Sequence, residues 1–196
     1  FPVTLEDRIE LGDGVVELSA SWEEYISLVE DCVYPIEYEN QKIIAMSIAS
    51  DLHEFLVGNI ITMLNILLKN ERDMGVRGSN RHIFIKDYHA DYAPDAHVIK
   101  GKPEEYELRK GLTANLNPWL IVEILSPSTE QRDWSVKLPK YKKIPSCRHI
   151  LYITQDRPFV SLFSRKGNSS IWENEDFDKL EQSFSINGQA MSLQDI

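Results

Sequence analysis

Two acidic residues lie inside segments that otherwise resemble buried strands. Asp95 follows Pro94 in "ADYAPDAHVI" (90–99), and Glu123 lies in "PWLIVEIL" (118–125), the most apolar stretch of the chain. Proline cannot donate to a β ladder, and a buried ionised carboxylate is costly unless it is paired or bound to a metal. If the two strands are neighbours, both carboxylates can meet at one sheet edge and offer hard oxygen ligands to a divalent cation such as Mg²⁺. Alternatively, Asp95 caps a turn and Glu123 pairs with a lysine.

Positive charge is concentrated downstream of these acids. The segment "KLPKYKK" (137–143) contains four lysines, and Arg132 and Arg148 flank it. The chain as a whole has a formal net charge of −10. This charge excludes a protein whose whole surface grips nucleic acid, because phosphate contacts need Lys and Arg. A local basic cleft remains compatible with it, and the alternative for the lysine cluster is a solvated helix face.

Length and composition predict one globular domain over residues 1–196. A chain of 196 residues with 42% hydrophobic residues can bury one core. No segment reaches the roughly 18 apolar residues that span a bilayer, and no secretory signal pattern is present. Cys32 and Cys147 form neither a disulfide scaffold nor a metal-ligand spacing. We therefore expect a cytoplasmic protein without a membrane span.

The N-terminal part of the chain predicts a helix, a hairpin and a second helix. Ser21 and Glu24 form a capping box that opens an amphipathic helix in "SWEEYISLVEDCV" (21–33). The segment 35–47 alternates around Asn40-Gln41 like a β-hairpin. The second helix follows, with Ser50 or Asp51 as its cap and apolar residues at helical spacing: Leu52, Leu56, Ile60, Met63 and Leu67.

The rest of the chain predicts strands around one more helix. The segments "RHIFIK", "APDAHVI", "PWLIVEIL", "RHILYI" and "FVSLFS" are typical of strands, and a helical stretch lies near 130–143. This order favours an α/β or α+β fold, with a central mixed sheet flanked by helices. Residues 100–117 are charged and without a clear period, so we expect a long surface excursion there.

These motifs occur together in a known family. Pro94-Asp95, "VEILSPST" at 122–129 and the pattern R-D-x-x-x-K-x-x-x-Y at 132–141 resemble a large bacterial family of uncharacterised restriction-endonuclease-like proteins in the PD-(D/E)XK nuclease superfamily. Upstream, Glu37 resembles the acidic position of the family's opening hairpin, and His53 the early histidine of its next helix. The resemblance covers roughly residues 20–195, nearly the whole chain.

The resemblance implies a restriction-endonuclease-like core and metal-dependent hydrolysis of phosphodiester bonds, with DNA the expected substrate. Asp95 and Glu123 would hold Mg²⁺ or Mn²⁺, and Glu37 is a possible third ligand or supporting acid. A lysine would assist the attacking water, and a homodimer is expected by analogy because cutting both strands usually takes two sites. The superfamily lysine stands two residues after the second acid, on the same strand face, but that position is Leu125 here.

The family's relatives instead offer a lysine from the next helix, which is Lys137 in this chain. Asp133, Lys137 and Tyr141 are spaced i, i+4, i+8 and so share one helix face. Lys140, one turn from Lys137, is the alternative. Pro139 would cost about 3 kcal/mol in a helix interior, so we expect the helix to start late, with Ser135 as its cap.

Other polar residues near these motifs have a structural interpretation beside a functional one. We expect Glu39 to point to the face opposite Glu37 and to need no role. His53 either orients an acid or a phosphate, or serves in packing or capping. His97 is a candidate partner of Asp95 or simply a half-buried polar residue. Gln131 is assigned to a capping box with Ser128.

The rival functional hypothesis is a catalytically silent nucleic-acid-binding or interaction module on the same fold, and Leu125 is its best support. Metal-dependent hydrolysis of a smaller phosphate ester would use the same residues. If the chain is a nuclease, the lysine cluster would follow the site along the backbone of the nucleic acid.

Overall fold

The computed structural model describes residues 1–12, 14–29 and 31–196. Within them, the strands in chain order are β1 (Val16–Ser19), β2 (Ile36–Glu39), β3 (Lys42–Ala45), β4 (Met74–Gly78), β5 (Ile83–Ile85), β6 (Ala90–Tyr92), β7 (Ala96–Lys100), β8 (Glu105–Arg109), β9 (Leu112–Asn115), β10 (Pro118–Leu125), β11 (His149–Thr154), β12 (Val160–Arg165), β13 (Trp172–Phe177), β14 (Ser183–Ile186) and β15 (Gln189–Ser192). The α-helices are α1 (Leu5–Glu10), α2 (Trp22–Leu28), α3 (Asp51–Leu67), α4 (Glu130–Arg132) and α5 (Leu138–Tyr141). A π-helical turn, Asp133–Lys137, joins α4 to α5, and short 3₁₀ turns occur at Lys86–Tyr88 and Leu193–Asp195.

Two larger sheets and one hairpin contain these strands. The six-stranded sheet has the order β13-β12-β11-β10-β7-β4, and it is mixed because β10 pairs parallel with β11 and antiparallel with β7. The seven-stranded sheet has the order β1-β3-β2-β6-β5-β9-β8, and β14 pairs with β15. The predicted α+β fold with a mixed sheet flanked by helices is therefore confirmed, and the N-terminal hairpin β2–β3 belongs to the second sheet.

The N-terminal predictions hold in most details. Ser21 and Glu24 form the predicted capping box of α2, although the helix ends at Leu28 and Glu30 of the predicted segment lies outside the described residues. Asn40 and Gln41 form the hairpin turn with φ of 50° and 58°, the left-handed conformation that tight hairpins require. The helix α1 and strand β1 precede these elements and were not predicted.

Helix α3 packs on one face of the six-stranded sheet. Ser50 is its cap, since the Ser50 hydroxyl accepts the His53 N–H at 3.1 Å. Val57, Ile60 and Leu64 are buried against a sheet face that includes Val98 and Leu120. Leu52 is 48% exposed, so the buried stripe starts one turn later than its apolar spacing predicted.

The opposite face of β10 is covered by the helical run from α4 to α5. Leu138 and Tyr141 pack there with Ile121 and Leu125. The run starts at Glu130 and has no side-chain cap bond, so the predicted late start at Ser135 and the Ser128–Gln131 capping box are both wrong. A π-turn accommodates Pro139: the Leu138 N–H bonds to the Asp133 carbonyl five residues back, just before the residue that has no N–H.

Residues 100–117 lie largely at the surface, as predicted, but they form regular structure. They contain the antiparallel hairpin β8–β9, whose turn includes Gly111 at φ 88°. Leu108 and Ala114 bury one side of this hairpin against Phe84, while charged residues occupy its exposed side. The hairpin lies at the edge of its sheet, and one of its faces is exposed to solvent. Because this face carries many charged residues, the apolar alternation of the strands is hard to recognise in the sequence.

No helix in the described part of the chain is long and apolar enough to cross a membrane.

Candidate active site

Asp95 and Glu123 meet at one edge of the six-stranded sheet, as their strands predicted. Asp95 stands directly before β7, which is the antiparallel neighbour of β10. The Asp95 Oδ2 accepts the backbone N–H of Ile124, the residue after Glu123, at 2.6 Å. Both acids line a cleft of about 610 Å³. The pairing of β7 with β10 therefore brings the two acids to the same opening.

Glu123 is buried among other charged groups. Its Oε1 accepts hydrogen bonds from the Tyr141 hydroxyl at 2.6 Å and from the Lys137 Nζ at 3.2 Å, whereas its Oε2 accepts none from the described residues. Burial raises the pKa of Glu123 well above its ordinary value, and the charges of Asp133, Asp95 and Glu37 raise it further against the opposing effect of Lys137. A cation bound at this carboxylate would relieve that repulsion.

Lys137 reaches this site from the π-turn. Its side chain is 1% exposed, and its Nζ lies 2.8 Å from Glu37, 3.2 Å from Glu123 and 3.3 Å from Asp133. Burial disfavours the ammonium, but Glu123, Glu37 and Asp133 hold the pKa of Lys137 well above its ordinary value. Lys137 is therefore a charged lysine beside the second acid, on the face where Leu125 packs into the core.

Asp133 shares the helix face of Lys137 and Tyr141, as its spacing predicted. It lines the cleft, and its Oδ1 is buried without a hydrogen-bond partner in the described residues, although the Lys137 Nζ lies 3.3 Å away. Burial raises the pKa of Asp133, and the charges of Glu37 and Asp95 add to this effect against Lys137 and a hydrogen bond from Thr129. Together with Glu123, it makes this end of the cleft rich in acid.

Glu37 and Glu39 lie on β2 and are both buried. The prediction that they face opposite ways is wrong, because residues two apart on a strand share a face. Glu37 Oε1 accepts the Ala93 N–H at 3.1 Å, and its Oε2 lies 3.1 Å from Arg132. Burial opposes ionisation of Glu37, but Lys137 and Arg132 together lower its pKa.

Glu39 has a different set of cations. Arg132 and Lys140 both form ion pairs with it, and the Tyr92 hydroxyl donates to its Oε2 at 2.6 Å. Lys140 contacts Glu39 and Tyr92 and forms no contact with Glu123 in the described residues. The alternative catalytic lysine therefore belongs to a neighbouring polar cluster.

His53 lies beside Asp95, one of the two acids of the cleft. Its Nε2 lies 2.9 Å from the Asp95 Oδ1, and its Nδ1 lies 3.2 Å from the amide of Gln155. Burial disfavours protonation of His53, but the hydrogen bond to Asp95 and the Asp95 charge raise its pKa. Sequence reasoning missed Gln155. The signal was its position directly after β11, the parallel neighbour of β10, whose carboxyl end lies at the same sheet edge.

His97 has no contact with Asp95. Its Nε2 lies 3.0 Å from the Asn115 Oδ1, and burial lowers the pKa of His97 to about 4. Asp95 precedes β7 and its carboxylate binds the Ile124 N–H, so regular alternation along the strand does not relate it to His97.

The lysine cluster does not form one basic surface. Lys137 and Lys140 turn inward to the acids of β2 and β10. Lys142 lies over the ring of Phe163 at 4.2 Å, and Lys143 is exposed. Of the lysines predicted to follow a nucleic-acid backbone, Lys140 is therefore engaged by Glu39 instead, because one side of the helical run faces the sheet.

The acids of the cleft fit a magnesium-like cation with few protein ligands. The described residues contain no group of three or more His, Cys, Asp or Glu side chains arranged around a metal position. Mg²⁺ is commonly held by one or two carboxylates and completes its shell with water and substrate oxygens. Asp95 and Glu123 supply two hard donors at the cleft, and no described residue donates a hydrogen bond to the Oε2 of Glu123.

Comparison with known proteins finds a matching family, a similar sequence and a similar structure. The family model of Uma2, described as a putative restriction endonuclease, matches residues 22–194. The uncharacterized protein sll1609 of Synechocystis sp. (strain ATCC 27184 / PCC 6803 / Kazusa) is 28% identical over 132 residues, which cover 67% of this chain and 73% of that protein. A crystal structure of a putative nuclease belonging to DUF820 from Anabaena variabilis superposes with a TM-score of 0.66 at 19% identity, over 87% of this chain and 95% of that chain. The last match confirms the predicted fold class.

Proposed function

Because this chain belongs to the Uma2 family of putative restriction endonucleases, we propose that it is a metal-dependent nuclease that hydrolyses phosphodiester bonds in DNA. One observation carries the proposal: the Lys137 ammonium lies 3.2 Å from Glu123, although the strand position of the superfamily lysine holds Leu125. A lysine beside the second acid supplies the cation that Leu125 cannot, and this supports a nuclease over a catalytically silent module.

Asp95 and Glu123 are the proposed ligands of Mg²⁺ or Mn²⁺. Such an ion, when bound, would neutralise charge on the scissile phosphate and lower the pKa of a coordinated water. His53 and the Ile124 N–H fix the two oxygens of Asp95, while Tyr141 fixes the Oε1 of Glu123. These hydrogen bonds hold the carboxylates in place, which is the usual task of groups behind metal ligands.

Lys137 is the proposed catalytic lysine. Its ammonium can donate a hydrogen bond to the attacking water and offset the negative charge that develops on the phosphate oxygens. Its raised pKa keeps it charged, so it acts as a donor and not as a general base.

Two carboxylate ligands account for one cation. Homodimerisation and a cytoplasmic location stay predictions.

The test is cleavage of supercoiled plasmid DNA. We expect the protein to nick or linearise the plasmid with Mg²⁺ or Mn²⁺ and to stop when the ion is chelated. Asp95→Asn, which keeps the size of the side chain, should be inactive under the same conditions. The folded protein could instead leave plasmid and oligonucleotides intact with either ion but hydrolyse a small phosphate diester. That result would contradict DNA as the substrate and indicate a smaller phosphate ester.

A further inference from the structure

Glu37 makes the shortest contact of Lys137, at 2.8 Å, and it comes from a different sheet. β2 lies in the seven-stranded sheet, whereas Glu123 lies in the six-stranded one. Lys137 therefore connects the two sheets at the cleft. We infer that Glu37 is a positioning residue that holds the Lys137 ammonium beside Glu123, and not a cation ligand. This inference rests on the proposed hydrolysis at the same site.

Glu37 lies behind Lys137 and away from the cleft in which the cation would bind. Its Oε1 is engaged by Lys137 and by the Ala93 N–H, and its Oε2 by Arg132. Glu37 is completely buried and does not line the cleft, whereas Asp95 and Glu123 do. A ligand of a cation that arrives with substrate needs an oxygen that opens to the cleft, and Glu37 has none.

The lysine needs such an anchor because of where it starts. A strand lysine two residues after Glu123 would share its face by backbone geometry alone. Lys137 instead extends a flexible four-carbon chain from a π-turn into a group of three acids. Without Glu37, its ammonium would be shared by Glu123 and Asp133 alone. It would then lose its fixed position beside Glu123.

Arg132 completes the arrangement from the same helical run. It occupies the Oε2 of Glu37 at 3.1 Å, which leaves Oε1 to face Lys137. Arg132 also pairs with Glu39, two residues along the same strand. Glu39 is buried and bound to cations like Glu37, but it has no contact with Lys137 in the described residues. Glu39 is therefore a matched control for the charge and burial of Glu37.

The experiment compares Glu37→Gln with Glu39→Gln in the full chain. For Glu37→Gln we expect kcat on a labelled oligonucleotide to fall by about 10-fold or more, with KM and Mn²⁺ affinity within about 2-fold of the parent. Glu37→Gln and Glu39→Gln should lower the thermal unfolding temperature by similar amounts, because both weaken buried ion pairs. Glu39→Gln should nevertheless keep kcat within about 3-fold of the parent. Asp95→Asn removes a proposed ligand and should therefore weaken Mn²⁺ binding. An equal loss of Mn²⁺ affinity in Glu37→Gln would indicate that Glu37 is a ligand and would overturn the inference. An equal loss of kcat in both variants would overturn it too, because the cluster would then act only through stability.

A second measurement does not depend on activity. The Lys137 ammonium, ordered and shielded from water, should give a distinct ¹⁵N–¹H signal in NMR spectra, identified by its absence in Lys137→Met. We expect the signal to broaden or disappear in Glu37→Gln and to persist in Glu39→Gln. An unchanged signal in Glu37→Gln would contradict the positioning role. If the parent cleaves nothing, the proposed function fails, and the NMR comparison still decides whether Glu37 holds Lys137.

Discussion

Glu123 and Asp91 are buried strand acids with nearly the same kinds of partner. Glu123 accepts hydrogen bonds from the Tyr141 hydroxyl at 2.6 Å and from the Lys137 ammonium at 3.2 Å. Asp91 on β6 accepts the Tyr25 hydroxyl at 2.5 Å and lies 2.8 Å from the His82 Nδ1. Judged only by burial and partners, either acid could mark a functional site.

Glu123 and Asp91 differ in the groups and the solvent opening around them. Glu123 lines the cleft together with Asp95 and Asp133, and their charges help to raise its pKa. Asp91 does not line this cleft, and it lies under α2 where Tyr25 belongs to an aromatic cluster. A single buried acid with its partners is thus a structural feature. Several acids that converge on an opening, with fewer cations than they need, indicate chemistry.

The largest expected effect is on catalysis at Lys137. Lys137→Met removes the ammonium beside Glu123 but no proposed ligand, so Mn²⁺ binding should remain while the cleavage rate falls by about 10²-fold or more. Asp91→Asn is the matched change in the other cluster and should cleave within about 3-fold of the parent. Single-turnover rates on a labelled duplex measure both. Cleavage by Lys137→Met at the parent rate would remove the lysine from the mechanism.

The two acids should also differ in stability. Glu123→Gln resembles the protonated form that its surroundings favour, and Lys137 keeps Glu37 and Asp133 as partners. We expect its free energy of unfolding to stay within about 1 kcal/mol of the parent or to rise. Asp91→Asn weakens two charge-assisted hydrogen bonds and should cost about 1–3 kcal/mol. Urea unfolding at neutral pH measures both, and the reverse order of the two variants would refute the distinction between the clusters.

The smallest effect is the pH dependence of the stability that Asp91 contributes through its contact with His82. Burial disfavours protonation of His82, but the charge and hydrogen bond of Asp91 raise its pKa above the ordinary 6.5. The protonated pair therefore stabilises the fold fully below that value, and this contribution is lost as the pH rises through the folded-state pKa. The stability difference between the parent and Asp91→Asn should be larger near about pH 5.5 than near about pH 8.5. A difference that does not vary with pH would mean that His82 remains neutral.

The sequence predicted those parts of the molecule that depend on local pattern. Continuous apolar runs located β10 and β11, and Pro94 and Asp95 inside a strand-like segment marked the first acid. The convergence of Asp95 with Glu123 required only that their strands be neighbours. The i, i+4, i+8 spacing brought Asp133, Lys137 and Tyr141 to one face, because a single π-turn does not rotate that face away from β10.

Other features depend on packing between distant segments, which local pattern does not contain. Asp91 lies four residues before Asp95 in the same segment, yet its burial depends on α2 and β2. The inward direction of Lys140 depends on Glu39, about 100 residues earlier in the chain. The hairpin β8–β9 shows little apolar alternation because it lies at a sheet edge. The period-two rule alone would have placed Glu39 on the same face as Glu37.

Calorimetric titration with Mn²⁺ tests most directly whether the converging acids form a cation site. The parent and Asp91→Asn should bind Mn²⁺ with similar affinity, whereas Asp95→Asn and Glu123→Gln should each weaken binding by more than about 10-fold. Both variants keep the size of the side chain they replace, so a loss of binding reports the ligand oxygen. Equal Mn²⁺ affinity in all four proteins, or the largest loss in Asp91→Asn, would contradict the assignment of the site to Asp95 and Glu123.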